Sequence, residues 1–135
     1  MHTLPLQIRF NDIDMMGHVN NAVIMEFFDL GKSRYFADAG IPVAPEEGDF
    51  TVMVVHVEVD FHSQIHWKDS VAVTTCVSHW GNKSLQVRQQ VVNSVTGQPC
   101  ATCLTVMSGY IRSAATSAVI PDDIKARVQA YDAKN

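Results

Sequence analysis

The chain has 135 residues, 47% hydrophobic and 18% charged, with a net charge of −4, which suits one domain over residues 1–135 with a core of its own. That balance excludes a general nucleic-acid binder, which carries a basic stripe or patch. It also excludes a membrane span, since no apolar run approaches the roughly twenty residues that a crossing helix needs.

Residues 5–10 alternate weakly and predict a short strand. A polar loop follows over residues 11–20, NDIDMMGHVN. Residues 21–38 then read as one helix, because Val23, Ile24, Phe27, Phe28, Leu30, Gly31 and Tyr35 recur at helical spacing. Asn20 or Asn21 caps its start, and Gly40 with Pro42 stops it. The apolar stripe is wide, so the helix is expected to be largely buried. After a loop rich in Pro, Glu and Gly over residues 42–49, the period changes to two. Val55, Val57, Val59 and Phe61 alternate with His56, Glu58, Asp60 and His62, as a strand requires. A turn at Trp67–Ser70 leads to a strand over Val71–Trp80. The Gly81-Asn82-Lys83 connection leads to another over Ser84–Asn93. A hairpin turn at residues 96–99 precedes a long strand over Cys100–Arg112. Pro121 opens a short helix reaching about Tyr131. The order β-α-β-β-β-β with a final helix predicts an α+β domain, its antiparallel sheet packed on the one long helix.

These residues carry a resemblance. A strand ends in Arg9-Phe10, then come Asp12, Asp14, Gly17, His18, Val19, Asn20 and Asn21, then a helix with Glu26, Asp29 and Arg34. Val57–Phe61 followed by Asp69-Ser70-Val71 adds to it. Over residues 5–112 the chain resembles the hotdog-fold acyl-CoA thioesterases of the 4-hydroxybenzoyl-CoA thioesterase type. It departs at Gln64-Ile65, where many relatives place a proline in a turn. The resemblance implies a sheet wrapped around a central helix. It further implies hydrolysis of an acyl-CoA thioester, paired protomers as a homodimer or a homotetramer built as a dimer of dimers, and no metal or organic cofactor. By position in the motif, Asp14 is the catalytic carboxylate and the Asn21 backbone amide polarises the thioester carbonyl.

The chemistry is consistent with that reading. The first turn of a helix has unpaired N–H groups and a partial positive charge, so it can stabilise an oxyanion. Asp14, across a loop that Gly17 can bend, is placed to attack directly or to activate water as general base. His18 is read chiefly as a hydrogen bonder that fixes the loop, and is kept among the catalytic candidates. Asp12 is read as a turn former. Glu26 and Asp29 are expected to turn at least one carboxylate to the site or to a partner subunit. Met15, Met16, Ile24 and Phe28 are the expected walls of an acyl pocket, with Gly17 beside them, and Met suits varied chains. Lys83, Arg88 and Arg112 are the candidates for the coenzyme A phosphates. No G-x-S-x-G string is present to suggest a serine hydrolase. His56 and His62 share a strand face but stand roughly 20 Å apart, and His62 and His66 converge only through a bend, so no metal site is read. Cys76, Cys100 and Cys103 are read as reduced thiols; Cys100 and Cys103 have CxxC spacing but no second pair. MHTLPLQIRF lacks a basic segment ahead of a long apolar one, so the expectation is no signal peptide and a cytoplasmic location. The competing readings are a non-catalytic acyl-CoA or acyl-carrier binding module on the same fold, and a dimerisation domain with an empty pocket.

Overall fold

The computed structural model describes residues 1–135. The elements are β1 (His2–Pro5), α1 (Asn21–Ala39), β2 (Phe50–Phe61), β3 (Val71–Trp80), β4 (Ser84–Asn93), β5 (Pro99–Ile111), β6 (Thr116–Ser117) and α2 (Asp122–Lys134). The strands form one antiparallel sheet in the order β1-β3-β4-β5-β2, with β6 added to β5. The sheet curls around α1, which packs on β3 and β4, while α2 lies against α1 and β3. This is the α+β hotdog arrangement.

Alternation along the strands builds the concave face. Val71, Val73 and Thr75 of β3, Leu85, Val87, Gln89 and Val91 of β4, and Ala101, Cys103, Thr105 and Met107 of β5 are all buried. They meet α1 in two clusters. Ile24, Phe27 and Phe28 fill the one at its N-terminal half, and Tyr35, Phe36 and Ala39 share the other with Ile124 and Val128 of α2. Each large apolar side chain buried this way contributes about 2 kcal/mol. Gly31 sets the helix depth: a Cβ there would stand 2.6 Å from Val73 Cγ1. Beside it the buried Gln89 amide donates to the Phe28 carbonyl at 2.8 Å, joining β4 to the helix backbone.

The structure departs from the sequence reading in four places. The first strand runs over His2–Pro5 rather than residues 5–10. Past Leu6, whose N–H donates to the Val71 carbonyl at 3.0 Å, β3 has ended and no partner remains; Leu6 and Ile8 still pack on the core, which explains the alternation. Next, β2 starts at Phe50, five residues ahead of the alternating stretch, with a bulge between Val54 and His56 that interrupts its period. The short β6 was not anticipated. Finally, α1 is buried on one side only: Glu26, Asp29, Leu30 and Arg34 lie on its exposed face, because the sheet wraps only part of the helix.

Candidate functional site

The loop before α1 folds through local polar bonds. Ile13 and Val19 pair as an antiparallel bridge. Between them the Asp14 N–H donates to the His18 carbonyl at 2.9 Å, and Gly17 N–H donates to the Asp14 carbonyl at 3.1 Å. Gly17 has φ +82°, a left-handed conformation that glycine adopts without strain. Asp14 Oδ1 accepts from the Met16 N–H at 2.9 Å and the His18 N–H at 3.3 Å. Oδ2 has no partner within the chain and remains available. Asp12 plays a different part. It is 1% exposed, and its carboxylate accepts from the Arg9 N–H and the Arg9 guanidinium at 2.8 and 3.1 Å. It closes a 3-10 turn over Phe10–Asp12.

Two further bonds seat this loop. Val19 N–H donates to the Ile65 carbonyl at 2.8 Å and Asn20 N–H to the Asp12 carbonyl at 2.9 Å. His18 also bridges to His66, and their rings meet edge-on at 5.2 Å. Asn20 is the N-cap of α1. Its side chain accepts from the Ala22 N–H at 2.8 Å, and its carbonyl accepts from the Val23 and Ile24 amides, a cap that contributes about 1 kcal/mol. Among the first-turn amides of α1, that of Asn21 has no acceptor within the chain.

Asp14, His18, Asn21 and Ile24 line one cleft of about 390 Å³, joined by Phe61, His62, Ser63, Gln64 and Ile65 from the end of β2 and beyond. The structure therefore brings four of the sequence-predicted residues together. Asp14 also lines a second cleft of about 510 Å³ with Phe10, Asn11, Ile13 and Trp67. Sequence reasoning did not mark Phe10, Ser63 or Trp67. The available signal was an aromatic residue abutting the polar loop and a tryptophan in a turn.

The other candidates lie elsewhere. Met15 and Met16, 102% and 75% exposed, stand with Gly17 at the loop tip, while Phe28 lies in the core at 2%. Glu26 and Asp29 line neither cleft; Asp29 pairs with Lys32 at 3.4 Å. Lys83 is in the β3–β4 turn and Arg88 is exposed on the convex face of β4. The Arg112 guanidinium donates to the Gly48 and Val43 carbonyls, tying the loop before β2 to the end of β5. Next to it, Ser113 hydrogen bonds hold the exposed Asp49 carboxyl below its ordinary value. His56 bonds Glu58 at 2.8 Å and His62 bonds Thr102 at 3.0 Å. The three cysteines are unpaired. Burial pushes the Cys76 and Cys103 thiols up, which leaves them poor nucleophiles. No helix is long and apolar enough to cross a membrane.

Residues 8–128 match the family described as the thioesterase-like superfamily. A thioesterase from Thermus thermophilus, solved with coenzyme A and Zn, is 31% identical, covering 94% of this chain and 96% of its own at TM-score 0.79. A 1,4-dihydroxy-2-naphthoyl-CoA thioesterase from Synechocystis is 16% identical over 97% of both chains at TM-score 0.84. A variant of 4-hydroxybenzoyl-CoA thioesterase, solved with 4-hydroxybenzoyl-CoA, is 19% identical over 93% of this chain and 96% of its own at TM-score 0.83. The last two likenesses are of fold. Comparison with curated proteins gives no match.

Proposed function

The chain belongs to the thioesterase-like superfamily, and from that premise we propose that it hydrolyses an acyl-CoA thioester to the free acid and coenzyme A. The observation that carries this reading is the meeting of the available Asp14 Oδ2 with the unpartnered Asn21 N–H over one cleft. The carbonyl oxygen accepts from that N–H, where helix-end polarity favours the developing negative charge. Asp14 either attacks the carbonyl carbon, giving an anhydride that water opens, or takes a proton from the water that attacks. In both routes the C–S bond breaks and the thiolate leaves and is protonated; in the general-base route water supplies the new oxygen of the acid, whereas in the covalent route an Asp14 oxygen passes to the acyl group and water opens the anhydride at the aspartyl carbon, restoring the carboxylate. A single turnover in ¹⁸O-water distinguishes them, since only the covalent route leaves label in the Asp14 carboxylate. His18 holds the loop through its backbone and stands beside the reacting groups. With Arg112 committed to carbonyls, Lys83 and Arg88 are the proposed phosphate contacts.

The proposed enzyme is one domain that works as paired protomers. The open outer edge of β2 supports this: Met53, Val54, Val55, Val57 and Phe61 are each at least 40% exposed along an edge strand, a surface that natural proteins rarely leave bare. The proposed location is the cytoplasm.

The test is steady-state thiol release from acyl-CoAs by Asp14→Asn. The substitution keeps size and turn-forming ability and removes the charge. A loss of at least ~10²-fold in kcat is expected, with circular dichroism unchanged and coenzyme A binding retained. Asp12→Asn, which touches no cleft, is expected to lower the melting temperature and to cost far less turnover. Near-parental hydrolysis by Asp14→Asn would make Asp14 a turn residue. Binding without turnover in the parent protein would favour the binding-module reading.

A further inference from the structure

Water is the second substrate of the proposed hydrolysis, and its geometry sets a requirement. An attacking water turns a lone pair toward the carbonyl carbon and keeps two O–H groups, each of which needs an acceptor once the ester has displaced bulk solvent. Asp14 supplies only one. Its Oδ1 is occupied by the Met16 and His18 N–H groups at 2.9 and 3.3 Å, which leaves Oδ2. The second acceptor has to come from another wall of the same cleft, and residues 61–65 form that wall.

Gln64 meets the requirement. Its side chain lines the cleft with Asp14 and Asn21 and has no hydrogen-bond partner within the chain. The other side chains of this wall are less suited. Phe61 and Ile65 have no acceptor, and His62 is bonded to Thr102 at 3.0 Å. The Ser63 hydroxyl must first direct its own proton elsewhere, whereas a carboxamide oxygen accepts in every rotamer. The backbone around Gln64 is fixed on both sides. Ser63 N–H donates to the Cys100 carbonyl of β5 at 3.1 Å, and the Ile65 carbonyl accepts from the Val19 N–H at 2.8 Å. Ile65 is itself 0% exposed. Gln64 is thus carried between a bond to the sheet and a bond to the loop that bears Asp14, while its exposed side chain is free to turn. A neutral amide also leaves the Asp14 charge undisturbed, where a second carboxylate would oppose its ionisation. We propose that the Gln64 carboxamide oxygen is the second acceptor and holds the attacking water against Asp14 Oδ2. One water proton passes to Asp14 as the oxygen bonds the carbonyl carbon. The C–S bond then breaks, and that proton goes on to the thiolate. The proton held by Gln64 stays on the new acid. This rests on the hydrolase reading above and selects its general-base route.

The experiment runs turnover of acetyl-, hexanoyl- and benzoyl-CoA in the presence of hydroxylamine, which competes with water and yields a hydroxamate in place of the acid. The uncatalysed reaction is subtracted. Gln64→Leu keeps the volume and removes the acceptor, and Gln64→Ala removes both. Each is expected to melt as the parent does and to lose ~10-fold in kcat for hydrolysis, the rate equivalent of one hydrogen bond, with KM little changed. The ratio of hydroxamate to acid is expected to rise ~10-fold, because hydroxylamine attacks without the held water. Hydrolysis and hydroxamate formation falling together would overturn the assignment, since a residue that touches the ester or supports the fold acts on both nucleophiles alike. So would parental kcat in Gln64→Leu with the loss appearing in Ser63→Ala instead. Label in the Asp14 carboxylate after one turnover in ¹⁸O-water would also overturn it, because water then attacks the aspartyl carbon. These outcomes sink the proposal and leave the hydrolase reading standing. A parent protein inert toward every ester sinks both.

Discussion

Asn21 is the first residue of α1 and its amide has no acceptor in the chain, so a substitution that deletes only this N–H is available. Proline is favoured at the first helical position, where it removes a donor the helix does not use. The preceding Asn20, with φ −59° and ψ 139°, already has the extended conformation that a following proline demands. Asn21→Pro is therefore expected to keep its circular dichroism while losing ~10²-fold in kcat. Asn21→Ala retains the amide and is expected to retain most of the turnover. Equal rates for the two variants would remove the amide from the mechanism. At this scale the sequence was legible where bonds are local. Asp14, Gly17 and the Asn20 cap interact within a few positions of one another, so their spacing carries their roles. Phe10 and Trp67 were not legible as a pair, because the His18–His66 bridge brings distant parts of the chain together. Phe28 was assigned to a pocket because helical spacing identifies an apolar face but not which neighbour that face meets.

The two helices are joined by a partly buried polar contact between residues far apart in the sequence. The Tyr35 hydroxyl donates to the Asp132 carboxylate of α2 at 2.8 Å, and the Val77 N–H of β3 donates to the Tyr35 oxygen at 3.2 Å. Burial, reinforced by the Asp132 acceptor, pushes the Tyr35 hydroxyl well above its ordinary value. A tyrosine in the unfolded chain ionises near pH 10. Below that pH both states hold the proton and the contact contributes fully. Above it only the unfolded chain releases the proton, so stability falls by about 1.4 kcal/mol per pH unit until the folded protein also ionises. Denaturant titrations from pH 9 to 11 are expected to show this decline, and Tyr35→Phe is expected to flatten it while costing about 1 kcal/mol at neutral pH. An unchanged slope in the variant would place the alkaline sensitivity elsewhere. Element types were readable because α1 and the strands β3 to β5 each hold their period over many residues. The misplaced first strand and the missed start of β2 are failures of the same kind: apolar alternation reports which side chains meet the core, not where a hydrogen-bonding partner ends or where a bulge breaks the register.

Across the whole molecule, α1 covers only part of the concave face, and β2 extends past it with Val54, Val57 and Phe61 bare. Insufficient cover by a single helix was evident from the element order. The sheet order that puts β2 at an edge was not, because it depends on long-range pairing of β2 with β5. The twelve-residue edge offers backbone donors and acceptors for a second copy, and a stable dimer needs ~800 Å² from each partner. Val57→Lys, which puts a charge in this apolar strip without touching either cleft, is expected to shift sedimentation equilibrium toward 14.9 kDa and to lower turnover in parallel. A parent protein that already sediments as a stable monomer at micromolar concentration would refute paired assembly.

The meeting of two clefts at one carboxylate also bears on how the reaction ends. If acid and thiol form in separate compartments, neither blocks the other's exit, and departure has no compulsory order. The vacated enzyme can then hold both products together in a dead-end complex. The carboxylate product of a turned-over ester and coenzyme A, added jointly as inhibitors, are expected to give intersecting lines in a double-inhibition plot. Parallel lines, which mark mutually exclusive binding, would mean that both products leave through one opening.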